Sequence, residues 1–327
     1  MKKTYLLLFF IYMLSGTSCK DDTSHLPTVN LEKDLSINQL RDSSYISDIR
    51  SLFYYNGKYY ASDYKRDQIL ILNENLELQK ILGQKGKGPG ELLGASDIYV
   101  YNDTIFVFND SKRSFELFNS EEHLQTIDLL SQHSFSSGMR FAVNNSEIYF
   151  SSFYSQYSIS RYYYKLDSAQ FFGRSTEYRT PRESRIKNKR HVHVLDSKIV
   201  AIADCQPFID VYTLAGEFVT SFDLSSIDQI KKIIEYVERN NYAENSYFQF
   251  FPESYVCEDN IFILITTVGK NDEKYKNTLL ELELEGDAIK PVRLLNLGDG
   301  WFKSFCISGN KIVAFNGSTA ELIRYDY

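Results

Sequence analysis

One unit recurs along the chain, and its spacing restricts the fold more than any other feature of the sequence. The unit is a short strand, a tight polar turn, an apolar strand, a polar stretch, a third strand, another turn and a fourth strand. Its first copy runs Ile49 to Tyr54, the Asn56-Gly57 turn, Tyr59 to Asp63, Gln68 to Leu72 and Leu78 to Leu82. Asn-Gly between two such runs predicts a type I′ hairpin, because both central residues of that turn need positive φ. The second copy runs Ile98 to Tyr101, Asn102-Asp103, Thr104 to Phe108, Phe115 to Phe118 and Leu124 to Leu129. Later first turns fall at Asn145-Ser146, Asp196-Ser197, Glu258-Asp259 and Gly309-Asn310. Taking Gly57, Asp103, Ser146, Ser197, Asp259 and Asn310 as markers, the intervals are about 46, 43, 51, 62 and 51 residues. Four-stranded units spaced by roughly 40 to 50 residues are propeller blades. The expected fold is therefore all-β, a six-bladed β-propeller of four-stranded antiparallel blades.

The sixth unit contains Phe302 to Ile307, Ile312 to Phe315 and Leu322 to Tyr325, and its fourth strand is missing. The segment Thr28 to Leu35 is free to supply it, closing the ring without a large exposed edge. A β-sandwich or a lipocalin-like barrel is the alternative, and either needs fewer strands than the roughly two dozen counted here. Composition agrees with strands: aromatic residues make up 15%, with 25 Tyr and 23 Phe, types that suit a pleated, half-buried surface. The formal net charge of −7 argues against a general nucleic-acid binder, which is normally basic.

The first residues carry a different signal. Lys2 and Lys3 precede an uncharged run from Tyr5 to Leu14 and a small-residue zone, Ser15-Gly16-Thr17-Ser18, that ends at Cys19. This is the order of a secretory signal, and the apolar run is too short to span a bilayer, which takes roughly 20 residues. Cys19 at the end of that zone resembles the lipobox cysteine of bacterial lipoproteins, with Gly16 in place of the usual aliphatic residue. Lys20-Asp21-Asp22 resembles the signal that sends lipoproteins of the Bacteroidota to the outer face of the outer membrane, with a periplasm-facing lipoprotein or an ordinary secreted protein as alternatives. The expected organisation is a signal peptide over 1–18, a tether over 19–27 and one propeller domain over 28–327. Three further cysteines remain, Cys205, Cys257 and Cys306. Cys257 and Cys306 occupy similar places in successive repeats, which leaves both a disulfide and buried free thiols open.

The long interval between the fourth and fifth units holds a helical insertion over 225–240. Ile227, Ile230, Ile233, Ile234 and Val237 recur at helical spacing, and Ser225 with Asp228 has the pattern of a capping box. Such a helix either covers blade surface or acts as a lid on one face.

The run Gly83-Gln84-Lys85-Gly86-Lys87-Gly88-Pro89-Gly90-Glu91 fits neither a Walker A loop nor a dinucleotide fingerprint, because a Pro follows Gly88 and the setting is a hairpin unit. Pro89-Gly90 suits the centre of a type II turn. This Gly-x-Gly-Pro-Gly-Glu loop, preceded by Lys80-Ile81-Leu82-Gly83, resembles the loop between the first two blades of the TolB-like six-bladed propeller lipoproteins of Bacteroidota. The likeness covers nearly all of the chain after the tether and is strongest across residues 45 to 130. It implies fold and location more than activity.

In a propeller, the links between one blade's outer strand and the next blade's inner strand all emerge on one face. The stretch from Arg174 to Arg190 is such a link and concentrates Arg174, Arg179, Arg182, Arg185, Lys187, Lys189 and Arg190 against Glu177 and Glu183. With Lys85 and Lys87 it predicts a basic rim, and clustered charge attracts ions of opposite sign. The ligand-binding candidates are Lys85, Lys87, Arg140, Arg182, Arg185, Lys187, His191, His193 and Trp301. His191 and His193, two apart on an inner strand, point the same way, but no third ligand is tied to them and no metal or other cofactor is expected. The leading reading is a monomeric cell-surface binding propeller, held to the outer membrane by its lipid, for a glycan (acidic or sulfated) or a protein partner. The alternative is a carbohydrate lyase or hydrolase at the channel mouth, for which no catalytic residues are assignable from spacing.

Overall fold

The computed structural model describes residues 25–40, 44–129, 138–152, 154, 156–240, 242 and 246–327. Cys19 and Lys20-Asp21-Asp22 lie outside the described residues. Two short strands, β1 (Thr28–Asn30) and β2 (Glu32–Ile37), precede six blades. Blade one comprises β3 (Ile49–Tyr55), β4 (Lys58–Asp63), β5 (Gln68–Asn73) and β6 (Leu78–Leu82). Blade two comprises β7 (Ala95–Tyr101), β8 (Thr104–Asn109), β9 (Ser114–Phe118) and β10 (His123–Asp128). Blade three has β11 (Ala142–Asn144), β12 (Glu147–Ser151), β13 (Ile159–Tyr163) and β14 (Ser168–Phe172), followed by the short helix α1 (Pro181–Lys187). Blade four has β15 (Arg190–Leu195), β16 (Lys198–Ala203), β17 (Phe208–Thr213) and β18 (Phe218–Asp223), followed by α2 (Asp228–Asn240). Blade five has β19 (Glu253–Cys257), β20 (Asn260–Val268), β21 (Lys274–Glu285) and β22 (Ala288–Asn296), and β23 (Phe302–Ser308), β24 (Lys311–Asn316) and β25 (Glu321–Asp326) follow.

The fold is the six-bladed propeller expected from the repeat. The residue that opens each first hairpin has positive φ in every blade: Asn56, Asn102, Asn145, Asp196, Glu258 and Gly309. Those are the turns that marked the six units. In blade one the second turn residue, Gly57, is also left-handed at φ 75°, as a type I′ turn requires.

Closure occurs as expected, with a refinement. β2 pairs antiparallel with β25 and supplies the outer strand of blade six. β1 instead runs parallel to β22, with Thr28 opposite Leu294, and adds a fifth strand to blade five. The segment thus crosses from one blade to the next at Leu31, whose N–H donates to Asn296 O at 2.9 Å. Leu35 and Ile37 pack against the blade-six core, whereas Leu26 is buried with the apolar face of α2. The two ends of one short segment have different apolar partners, and this divides it between two sheets.

The inserted helix is present and begins at Asp228, three residues beyond the expected cap. Ser225 donates its N–H to Asp223 Oδ1 at 2.8 Å and takes no part in capping. Ile230, Ile233 and Tyr236 are buried with Ile261, Ile263 and Ile265 of β20. The helix therefore covers blade five. The three cysteines are free thiols; Cys306 is fully buried, and burial pushes the Cys205 thiol up to about 12.

Candidate functional site

The channel through the ring is closed midway by a polar hub to which each of the six blades contributes. Arg140, just ahead of β11, is 4% exposed. Its Nε donates to Glu253 Oε1 at 2.8 Å. Its Nη1 donates to Ser51 Oγ at 2.6 Å and to Asp97 Oδ1 at 3.2 Å, and its Nη2 to Phe305 O at 3.2 Å. Its backbone N–H donates to His191 Nδ1 at 3.2 Å. Ser51, Asp97, Arg140, His191, Glu253 and Phe305 stand on, or just before, the inner strands β3, β7, β11, β15, β19 and β23 in turn. A buried charge is tolerable only when paired and hydrogen-bonded, and here every partner is supplied.

The electrostatics follow from burial. Burial raises Glu253 to about 7, Arg140 opposes the shift and Asp97 adds to it. Burial likewise raises Asp97 against the pull of Arg140. Burial lowers His191 to about 3; since its Nδ1 accepts from Arg140, the ring is neutral and its Nε2 donates to Phe251 O at 2.9 Å. His193 is also buried, with Nε2 beside Ser254 Oγ at 2.8 Å. The two histidines thus belong to the packed channel wall. Among the described residues no group of three His, Cys, Asp or Glu side chains is placed to hold a metal.

Above the hub, on the face where the inter-blade links emerge, a cavity of about 270 Å³ opens. Three inner strands begin with a register shift at that level: between Ile49 and Ser51, between Ala95 and Asp97, and between Phe302 and Ser304. The extra residues are Arg50, Ser96 and Lys303, and all three line the cavity. A bulge bends its strand and re-aims side chains. Here it places Ser51 and Asp97 in the hub while the residue before each faces the mouth.

Arg50 Nε and Lys303 Nζ flank Asp48 at 3.2 and 2.6 Å; burial pushes this carboxyl up, but the two cations outweigh it and leave it lowered. Trp301 lines the same cavity, is 37% exposed and has Lys276 Nζ 5.0 Å from its ring centroid. Burial lowers Lys276. Its Nζ donates to Gln249 Oε1 at 2.9 Å, and Gln249 Nε2 donates to Asp204 Oδ1 at 2.9 Å. Asp204 is buried, which raises it to about 6.

The basic rim expected from the sequence is not what surrounds this mouth. Residues 174–190 fold back on themselves around α1, where Thr180 Oγ1 accepts from Glu183 N at 3.1 Å. Lys187 Nζ pairs with Glu183 at 2.5 Å and lies 4.8 Å from the Tyr178 ring centroid. Arg174 pairs with Asp210 and lies over Phe218. Arg190 is wholly buried against Phe208, and Arg182 is exposed. Arg182, Arg185 and Lys187 do not line the mouth cavity.

Lys85 and Lys87 also stand apart from it, Lys85 3.7 Å from Asp67. The glycine-rich loop is closed by its own Glu91, whose Oε2 accepts from Gly88 N at 2.7 Å. A Cβ on Gly86 would lie 2.1 Å from that carboxylate oxygen. Glu91 N donates to Gly88 O at 3.1 Å across Pro89-Gly90, and Gly90 has φ 72°, as a type II turn demands.

Of the sequence-predicted residues, Arg140 and Trp301 are brought together at one cavity, and His191 and His193 lie in the wall below. Arg50, Lys276 and Lys303 were missed. A signal for two of them exists: Ile49-Arg50-Ser51-Leu52 and Phe302-Lys303-Ser304-Phe305 each place two polar residues between apolar ones, breaking strand alternation.

No family model matches the chain, and no curated protein matches it. Solved structures share its fold. A protein of Bacteroides fragilis described as exported is 14% identical, with 88% of this chain and 87% of that chain covered and a TM-score of 0.58. A member of the DUF4221 family from Bacteroides vulgatus is 10% identical over 90% and 97% of the two chains, with a TM-score of 0.54. Virginiamycin B lyase from Staphylococcus aureus is 9% identical over 90% and 98%, with a TM-score of 0.54. At these identities the likeness is one of fold. Among the described residues no helix is long and apolar enough to cross a membrane.

Proposed function

We propose that this chain is an exported ligand-binding propeller whose site is the link-face mouth of the channel, and that its ligand is an acidic carbohydrate. The observation that carries this reading is the convergence of Arg50, Lys276 and Lys303 with Trp301 on one cavity over a closed polar floor. An indole face supports a sugar ring, and ammonium and guanidinium groups meet carboxylate or sulfate with charge-assisted bonds. Asp97 and Glu253 at the floor are both engaged by Arg140, so neither stands ready as an independent acid or base, and binding is favoured over glycoside cleavage.

The signal-like leader, Cys19 and Lys20-Asp21-Asp22, together with the fold shared with a Bacteroides protein described as exported, support an outer-membrane lipoprotein displayed outward. The Gly-x-Gly-Pro-Gly-Glu loop supports kinship with the TolB-like propeller lipoproteins.

The test is a panel of uronic-acid, sulfated and neutral oligosaccharides titrated by calorimetry at low and high salt. Saturable, salt-sensitive binding of an acidic member, weakened at least tenfold by Trp301→Ala, is the expected result. Binding of none of the panel, or equal binding by the variant, overturns the reading. Appearance of cleaved or unsaturated products would replace it with the enzyme alternative, for which the virginiamycin B lyase fold is a precedent of architecture alone.

A further inference from the structure

We infer that the other end of the channel is a second ligand site, built for a neutral aromatic molecule of one or two fused rings that carries a hydroxyl. The hub residues and this chamber occupy successive inward positions of the same strands. Ser51 is followed two residues later by Phe53, Asp97 by Tyr99, His191 by His193 and Glu253 by Tyr255. Side chains two apart share a strand face and stand about 7 Å apart along it, so a layer of rings lies directly beyond the polar hub. Together with Phe141 and Val194 they enclose about 210 Å³.

The wall is a chain of tilted rings. Phe53 lies 5.8 Å from Tyr255 and 4.8 Å from Tyr99, and Tyr99 lies 6.0 Å from Phe141, with interplanar angles of 59°, 54° and 42°. Rings set this way present both faces and edges, which complements another aromatic ring. A cavity of about 150 Å³ lined by apolar side chains holds benzene; this one, at 210 Å³, has room for a second fused ring.

Polar groups narrow the class further. The Tyr255 hydroxyl is occupied by the backbone of Tyr54, at 3.2 Å from N and 3.4 Å from O. His193 Nε2 is taken by Ser254. Tyr99 has no hydrogen bond from its hydroxyl among the described residues, and burial pushes that phenol up to about 12, so it stays protonated and able to donate. The Arg140 guanidinium at the chamber floor disfavours a cation there, its charge is already answered by Asp97 and Glu253, and Glu258, a carboxylate on the exposed rim of the chamber, disfavours an anion. An anion gains little from the negative faces of four rings. A neutral hydroxyarene satisfies the rings and Tyr99 at once.

The experiment titrates the full chain with 2-naphthol, followed by calorimetry and by ligand-observed NMR. One saturable site is expected. Phe53→Ala, which removes one ring of the chamber wall, is expected to weaken binding at least tenfold, and Tyr99→Phe, which keeps the ring and removes the hydroxyl, about fivefold. Trp301→Ala, at the opposite mouth, is expected to leave it within twofold. Absence of saturable binding by the parent chain overturns the inference, as does binding that survives both chamber variants or is removed by Trp301→Ala. Failure of the acidic-carbohydrate panel leaves these readouts unaffected, so the two sites stand or fall separately.

Discussion

The channel mouth and the segment 174–190 are both rich in cations and both pair them with carboxylates, but only the mouth turns them onto one cavity. The segment is the densest basic stretch of the sequence, yet its folded form distributes Arg174, Lys187 and Arg190 among Asp210, Glu183 and aromatic rings, around a helix of seven residues. At the mouth, Arg50, Lys276 and Lys303 come from positions up to 253 residues apart and face one cavity beside the only tryptophan. Charge crowded along a chain is cheap to neutralise locally, because its neighbours fold with it. Charge assembled from separate strands points where the backbone directs it, and the bulges at Arg50 and Lys303 direct two of the three cations.

The contrast is broken most severely at the hub. Arg140→Met leaves Asp97 and Glu253 buried without their cation, and removal of one member of a buried ionic cluster costs about 3–5 kcal/mol. Urea unfolding checks this, and Arg182→Ala, an exposed change, should stay within about 0.5 kcal/mol of the parent. A loss under about 1 kcal/mol for Arg140→Met would show that the hub does not hold the six blades together.

The next effect is one of pH. Glu253 titrates near 7 in the folded chain and near 4.3 unfolded, so the folded state binds the extra proton between those values. Stability from this group is therefore complete below about pH 4 and is lost as pH rises through 7. Glu253→Gln removes the term, and the difference in unfolding free energy between parent and variant should change across that window by on the order of 3–4 kcal/mol. His191, held neutral down to about 3, has the opposite sign and loses stability as pH falls below about 6.5. Comparison of parent with variant isolates Glu253 from it.

A third test separates the two basic regions as ligand sites. Lys303→Ala should weaken binding of an acidic oligosaccharide about tenfold, or about 1.4 kcal/mol, while neutralising Arg182, Arg185 and Lys187 together changes it less than twofold. The reverse pattern would return the site to the α1 segment. The smallest effect concerns the glycine-rich loop: Gly86→Ala forces Glu91 out of its place and should cost about 1 kcal/mol without altering either ligand's affinity.

Much of the fold was legible in particular residues. The polar first turns announced six blades because a left-handed turn residue is a local requirement that each hairpin repeats. The apolar spacing of Ile227, Ile230 and Ile233 announced α2 for the same reason, although its true start depended on where Asp223 drew Ser225. Trp301 could be singled out by its link position. Arg50 and Lys303 are marked in the sequence only by a break in strand alternation; that they face the mouth follows from the register shifts before Ser51 and Ser304.

By itself the sequence determined the periodic features and local turns: blade number, hairpin turns, the need for a donated outer strand, and the Pro89-Gly90 turn. These depend on φ preferences and on alternation between neighbours, which act over a few residues. The tertiary structure alone decided that Ser51, Asp97, Arg140, His191, Glu253 and Phe305 meet in one hub, that β1 leaves β2 for blade five, and that the channel has a charged end and an aromatic one. Those outcomes depend on ring closure, which brings together residues as far apart as 51 and 305 and makes their mutual desolvation a single event.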